Sequence, residues 1–97
     1  MAQDRLAAQP SVKIENPRTR VTEWRFAPGA ETGHHRHEYD YVVVPLATGR
    51  LRIVAPDGTE SIAELIFGEP YARPAGVEHN VINAGSEDFA FIEVEFK

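Results

Sequence analysis

The chain has 97 residues, 42% of them hydrophobic, enough for one single-core domain and too few for two. Ten Lys and Arg against fifteen Asp and Glu leave a net charge of −5, which argues against a nucleic-acid or anionic-membrane surface, since either needs a basic patch. Cysteine is absent, so there is no disulfide framework or thiolate nucleophile, and any metal must be held by imidazole and oxygen.

Residues 1–11 are polar and rich in Ala and Gln, and they are predicted to form a flexible arm ordered only by a partner. The opening MAQDRLAAQP has no apolar core of signal-peptide length, and no later run approaches a membrane span, so a cytoplasmic location is expected. Residues 12–97 are expected to form a single domain. Residues 12–15 alternate as a short strand, and Asn16-Pro17 signals a turn. Residues 21–27 (VTEWRFA) alternate again, with Thr22, Trp24 and Phe26 sharing one face, until Pro28-Gly29 ends the run. Residues 34–37 and 41–44 read as the next two strands. Pro45 to Gly49 turns the chain into a strand over 51–55, and Asp57-Gly58 is the strongest hairpin signal present.

Residues 61–67 contain IAELIF, which has no helical cap and is closed by Gly68, so it is read as strand. Pro70, Pro74 and Gly76 leave room for a short strand at Tyr71–Arg73. A strand over 77–82, a turn over 83–88 and a last strand at Phe89–Phe96 complete the chain. In that last strand Phe89, Phe91, Glu93 and Glu95 share one face, and Ala90, Ile92, Val94 and Phe96 the other. About eight to ten short strands with Gly, Pro and Asx turns and no convincing helix predict an all-β sandwich or barrel.

His35 and His37 stand two apart within predicted strand, so their side chains leave the same face about 7 Å apart. Two imidazoles so placed can converge on one metal ion with N–metal bonds of about 2.0–2.1 Å. A third, His79, lies far off in sequence in GEPYARPAGVEHNVIN. His34 is out of phase with the pair and reads as a solvent-facing histidine.

The stretch 68–83 resembles the second motif of the cupin superfamily, G-x5-P-x-G-x2-H-x3-N, with Gly68, Pro74, Gly76, His79 and Asn83 in the defining positions. Residues 29–37 resemble the opening of the first motif, G-x5-H-x-H. The string VTEWRFAPGAETGHHRHEYDYVVVPL is similar to small single-domain bacterial cupins that accompany β-alanine degradation. The resemblance implies a cupin double-stranded β-helix, a jelly-roll-like barrel, with a metal in its mouth. It implies that His35, His37 and His79 are metal ligands, and that Gly68, Pro74 and Gly76 shape the turn presenting His79. Pro fixes φ and Gly permits positive φ, so P-x-G makes a preorganised turn.

One position departs from the pattern. The glutamate ligand expected after the second histidine is replaced by Tyr41 and Val42. Parity continued from the histidines turns Tyr41 inward and Asp40 outward, and a bulge would reverse this and bring in Asp40 or Glu38. The reading favoured is a three-histidine site with Tyr41 as a hydrogen-bonding or proton-relaying phenol. Arg25, Arg50, Arg52 and Arg73 are candidates for a carboxylate-binding cation, Arg73 foremost because it precedes the Pro74 turn.

By the resemblance, the expected cofactor is a divalent ion, Fe(II) ahead of Zn, Ni or Mn. The expected function is a mononuclear dioxygenase-type oxidoreductase acting on a small polar metabolite. The alternative is a non-catalytic cupin that binds a small molecule in the same mouth. A last strand apolar on both faces predicts a homodimer that buries a sheet face and the N-terminal arm.

Overall fold

The computed structural model describes residues 5–97, and nothing in this region is helical. The nine strands are β1 (Gln9–Glu15), β2 (Thr19–Phe26), β3 (His35–Arg36), β4 (Asp40–Pro45), β5 (Gly49–Val54), β6 (Glu60–Leu65), β7 (Tyr71–Arg73), β8 (Glu78–Asn83) and β9 (Phe89–Phe96). They form two antiparallel sheets, one ordered β1-β2-β9-β4-β7 and the other β3-β8-β5-β6. The all-β double-stranded β-helix expected from the sequence is the fold observed.

Punctuation residues set the turns. Asn16 Oδ1 accepts hydrogen bonds from the backbone N–H of Arg18 (2.9 Å) and Thr19 (2.8 Å), an Asx turn that reverses β1 into β2. Asp57 does the same for Thr59 (2.9 Å) beside Gly58 at φ 88°, closing the β5–β6 hairpin. At Gly49 a Cβ would lie 2.8 Å from the Phe89 ring, so only glycine lets β5 start against β9.

Strand alternation divides the inward faces between an apolar end and a polar end. Phe26, Leu51, Leu65, Phe89 and Phe91 are all buried in one core cluster. Along β9 the buried positions run Phe89, Phe91, Glu93, Glu95. The face of β9 that carries the glutamates is therefore the inner one, and Ile92, Val94 and Phe96 look outward. Beyond Phe91 the core opens into a cavity of about 560 Å³.

Of the expected arm, residues 1–4 lie outside the described residues. Residues 9–11 belong to β1, which begins three residues before the predicted start. Ala8 is buried, and its N–H bonds Glu31 O at 2.7 Å. Glu31 N–H in turn bonds Leu6 O at 2.9 Å. Pairing with β2 accommodates Pro10 because β1 is an edge strand, where a missing N–H costs no ladder bond.

Candidate metal centre

His35 and His79 are directly opposed across the β3–β8 pair, which brings their Cβ atoms within about 5 Å. His37 follows just past the end of β3. Its backbone N–H donates to Val77 O, and its carbonyl accepts from Gly76 N–H, both at 2.8 Å. The Pro74–Gly76 turn, with Gly76 at φ 94°, is thereby clamped to His37. Asp40 Oδ1 holds the same turn from outside by accepting from Ala75 N–H at 2.8 Å. The far end of β8 is fixed by Asn83, whose side-chain amide donates to Phe26 O and Glu87 O and whose Oδ1 accepts from Gly85 N–H.

These constraints bring the three imidazoles together. His35 Nε2 lies 3.1 Å from His37 Nε2, and His37 Nε2 lies 3.2 Å from His79 Nε2. The three rings offer nitrogens all within 4.8 Å of one another. His35 Nδ1 is 2.9 Å from Gly33 O, and a carbonyl can only accept. The proton is therefore assigned to Nδ1, which leaves the Nε2 lone pair facing the cluster. Nitrogens about 2.1 Å from a shared ion and at right angles to one another are about 3.0 Å apart. The 3.1 and 3.2 Å separations are close to that spacing. The residues present fit a divalent ion.

Electrostatics favours the neutral ligand form. Burial pushes His37 down to about 4, with the neighbouring His35 adding to the effect. His79 is also pushed down to about 4, again mainly by burial and then by His35 and His37. Both imidazoles are therefore unprotonated at neutral pH and available as donors.

Strand parity holds after the histidines. Tyr41 is buried at 3% exposure and stacks on His37, with ring centroids 3.8 Å apart and planes 16° apart. Burial holds its phenol above the ordinary value, so it stays protonated and can donate. Asp40 points outward into the contact with Ala75 N–H, and Glu38 is exposed at the cavity mouth. No carboxylate joins the histidine cluster among the described residues. His34 is exposed and paired with Glu78 at 2.8 Å.

Arg73 does not line the cavity. Although it sits opposite Tyr41 in the β4–β7 register, its guanidinium lies 4.8 Å over the Tyr71 ring and donates to Ala72 O at 2.9 Å. Its charge reaches His79 only as a minor contribution. The arginines lining the cavity are Arg20 and Arg36. Arg20 forms a two-pronged bond with Glu95, at 2.8 and 3.1 Å.

Arg20, Glu93 and Glu95 are cavity residues that the motif reading passes over. The alternation of β2 held a signal for the first, since Arg20 is in phase with Thr22, Trp24 and Phe26.

Comparison with known proteins agrees with this architecture. The model of the Cupin domain family matches residues 22–95. The Beta-alanine degradation protein BauB of Pseudomonas aeruginosa is 56% identical over 90 residues, 93% of this chain and 94% of that protein. The crystal structure of a cupin domain from Bordetella pertussis Tohama I superposes with a TM-score of 0.94 at 52% identity, covering 99% of each chain. A protein with a double-stranded β-helix domain from Klebsiella pneumoniae shares the fold at a TM-score of 0.75 and 23% identity, over 96% of this chain and 79% of that one. With a family match running from β2 to β9 and a relative this similar along nearly its whole length, the chain belongs to the cupin family.

Proposed function

We propose that this protein is a mononuclear metal cupin of dioxygenase type that acts on a small polar metabolite. The observation that carries the reading is the convergence of the His35, His37 and His79 Nε2 atoms at 3.1 and 3.2 Å on the wall of a cavity of small-molecule size. A divalent ion held there, Fe(II) by preference, supplies Lewis acidity and electrons for dioxygen chemistry, while three neutral ligands leave its charge undiminished.

The protein supplies the rest. Gly33 O orients His35, and Tyr41 braces His37 by stacking. As a protonated phenol lining the cavity, Tyr41 is placed to donate a hydrogen bond to an oxygen of the bound substrate. Leu51, Ile53 and Val81 add apolar side chains to the lining of the same cavity. The name of the Pseudomonas relative associates that protein with the breakdown of a small amino acid, which supports a substrate of that scale. The homodimer and a cytoplasmic location belong to the same reading.

The test is metal analysis of the isolated protein, followed by oxygen-uptake measurements with small thiols, diketones and amino acids. Bound metal with substrate-dependent oxygen uptake is the expected result. Bound metal with neither uptake nor product, across the panel, would favour the non-catalytic binding alternative.

A further inference from the structure

β9 carries two glutamates into the cavity, and their surroundings differ. Glu95 gives both carboxylate oxygens to Arg20. Glu93 is only 9% exposed, yet it has no hydrogen-bond or ion-pair partner among the described residues. Its oxygens are not sealed inside protein; they border the cavity. Its cross-strand neighbours are Thr22 on β2 and Val43 on β4, neither of them cationic.

The other ionisable groups facing it are known. Arg20 on β2 is already engaged by Glu95. Tyr41 on β4 and Tyr71 on β7 are neutral phenols, raised by burial. Arg36 and Glu38 stand exposed at the mouth, and the opposite sheet presents the three imidazoles.

A carboxylate withdrawn from water without a partner is costly. Burial pushes Glu93 up to about 7, with the charge of Glu95 adding to the rise and Arg20 opposing it. A cation brought beside Glu93 would relieve that penalty. Trp24, Tyr41, Tyr71 and Phe91 line the same space, and aromatic faces also attract desolvated ammonium groups. Neither cavity arginine pairs with it, since Arg20 is held by Glu95 and Arg36 stands exposed at the mouth.

We propose that Glu93 anchors the ammonium group of a small amine-bearing ligand, whose other end reaches toward the three histidines. This rests on the reading of the cavity as a small-molecule site and gives its ligand a chemical class. A carboxylate-only ligand would have to face Glu93 itself, and an alcohol would leave the carboxylate without its counter-charge.

The experiment compares propylamine, propionate and 1-propanol, three probes of one skeleton and three head groups. Each is titrated into the protein as isolated, with the indole N–H signal of Trp24 as readout; it is the chain's one tryptophan and lines the cavity. Metal content is measured on the same samples. Propylamine is expected to bind tightest, at least threefold more tightly at pH 8 than at pH 6, because Glu93 ionises between them while the amine stays charged. Glu93→Gln is expected to weaken propylamine at least tenfold with metal content unchanged, and Glu38→Gln to change it less than twofold.

Equal or tighter binding of propionate or propanol by the unaltered protein would overturn the proposal, even if a variant failed to fold. So would a Glu93→Gln protein of unchanged amine affinity, or a Glu38→Gln protein as impaired as Glu93→Gln. Absence of metal from the unaltered protein would bear on the histidine site alone.

Discussion

The Tyr41 ring lies flat on the His37 imidazole, with centroids 3.8 Å apart and planes 16° apart. The tyrosine occupies the stretch where the cupin pattern expects a glutamate ligand, and it stacks on one of the three clustered histidines. Removing only its hydroxyl should therefore leave metal affinity nearly unchanged. Tyr41→Phe is expected to bind metal within about threefold of the unaltered protein and to lose catalytic turnover. Tyr41→Ala removes the stacked ring as well and should destabilise the fold by about 3–5 kcal/mol. Asp40→Asn should leave metal affinity unchanged, because Asp40 faces Ala75 and not the histidines. Metal titration and chemical denaturation of the three variants check this.

Glu93 gives a pH dependence of stability with a definite sign. Its folded value of about 7 lies above the ordinary 4.5, so the folded chain holds a proton that the unfolded chain has released. The stabilisation is complete below about 4.5 and is lost as the pH rises through 7. Glu93→Gln, which cannot ionise, should gain on the unaltered protein by about 1–3 kcal/mol between pH 5 and pH 8. Urea unfolding at the two pH values measures it, and a difference that did not change with pH would contradict the account.

Metal release on acidification should come late. Each imidazole must be neutral to bind, and His37 and His79 are held down at about 4 by burial. Protons therefore compete weakly for these two ligands between pH 7 and 5. Below that the affinity should fall by up to about a hundredfold per pH unit, as two protons are taken up. A steep loss already between pH 7 and 6 would show that the ligands titrate as ordinary exposed histidines.

How far the sequence announces all this varies along the chain. The nine strands are legible because the inner and outer faces alternate and because Gly, Pro and Asx residues mark the turns. Residues 61–67 read as strand despite their mixed composition, since nothing caps a helix there, and β6 occupies Glu60–Leu65. Parity from His35 and His37 places Tyr41 inward and Asp40 outward, as found. The glutamates of β9 are harder to place. Charged residues are ordinarily exposed, and only the cross-strand register with Arg20 and Thr22 identifies their face as the inner one. The position of Arg73 next to Pro74 suggests a mouth residue, but the rotamer that lays it over Tyr71 is a local packing choice that spacing does not encode.

The outer surface bears on assembly. On the outer face, Ile14 of the edge strand β1 is 50% exposed and Phe96 of β9 is 47% exposed. A dimer that covers them is expected in solution at micromolar concentration. Sedimentation should give twice the 10.8 kDa of the chain, and Ile14→Lys with Phe96→Lys should shift the protein toward monomer. A single-chain mass for the unaltered protein would refute the expectation.

The three-histidine centre is tested most directly by counting metal per chain in the unaltered protein and in His79→Ala under identical reconstitution with Fe(II). One ion per chain is expected, with a loss of affinity of at least about a hundredfold on removal of His79, more than the loss typical when an outer partner of a ligand is removed. Full metal affinity retained in His79→Ala, or no stoichiometric metal in the unaltered protein, would contradict it.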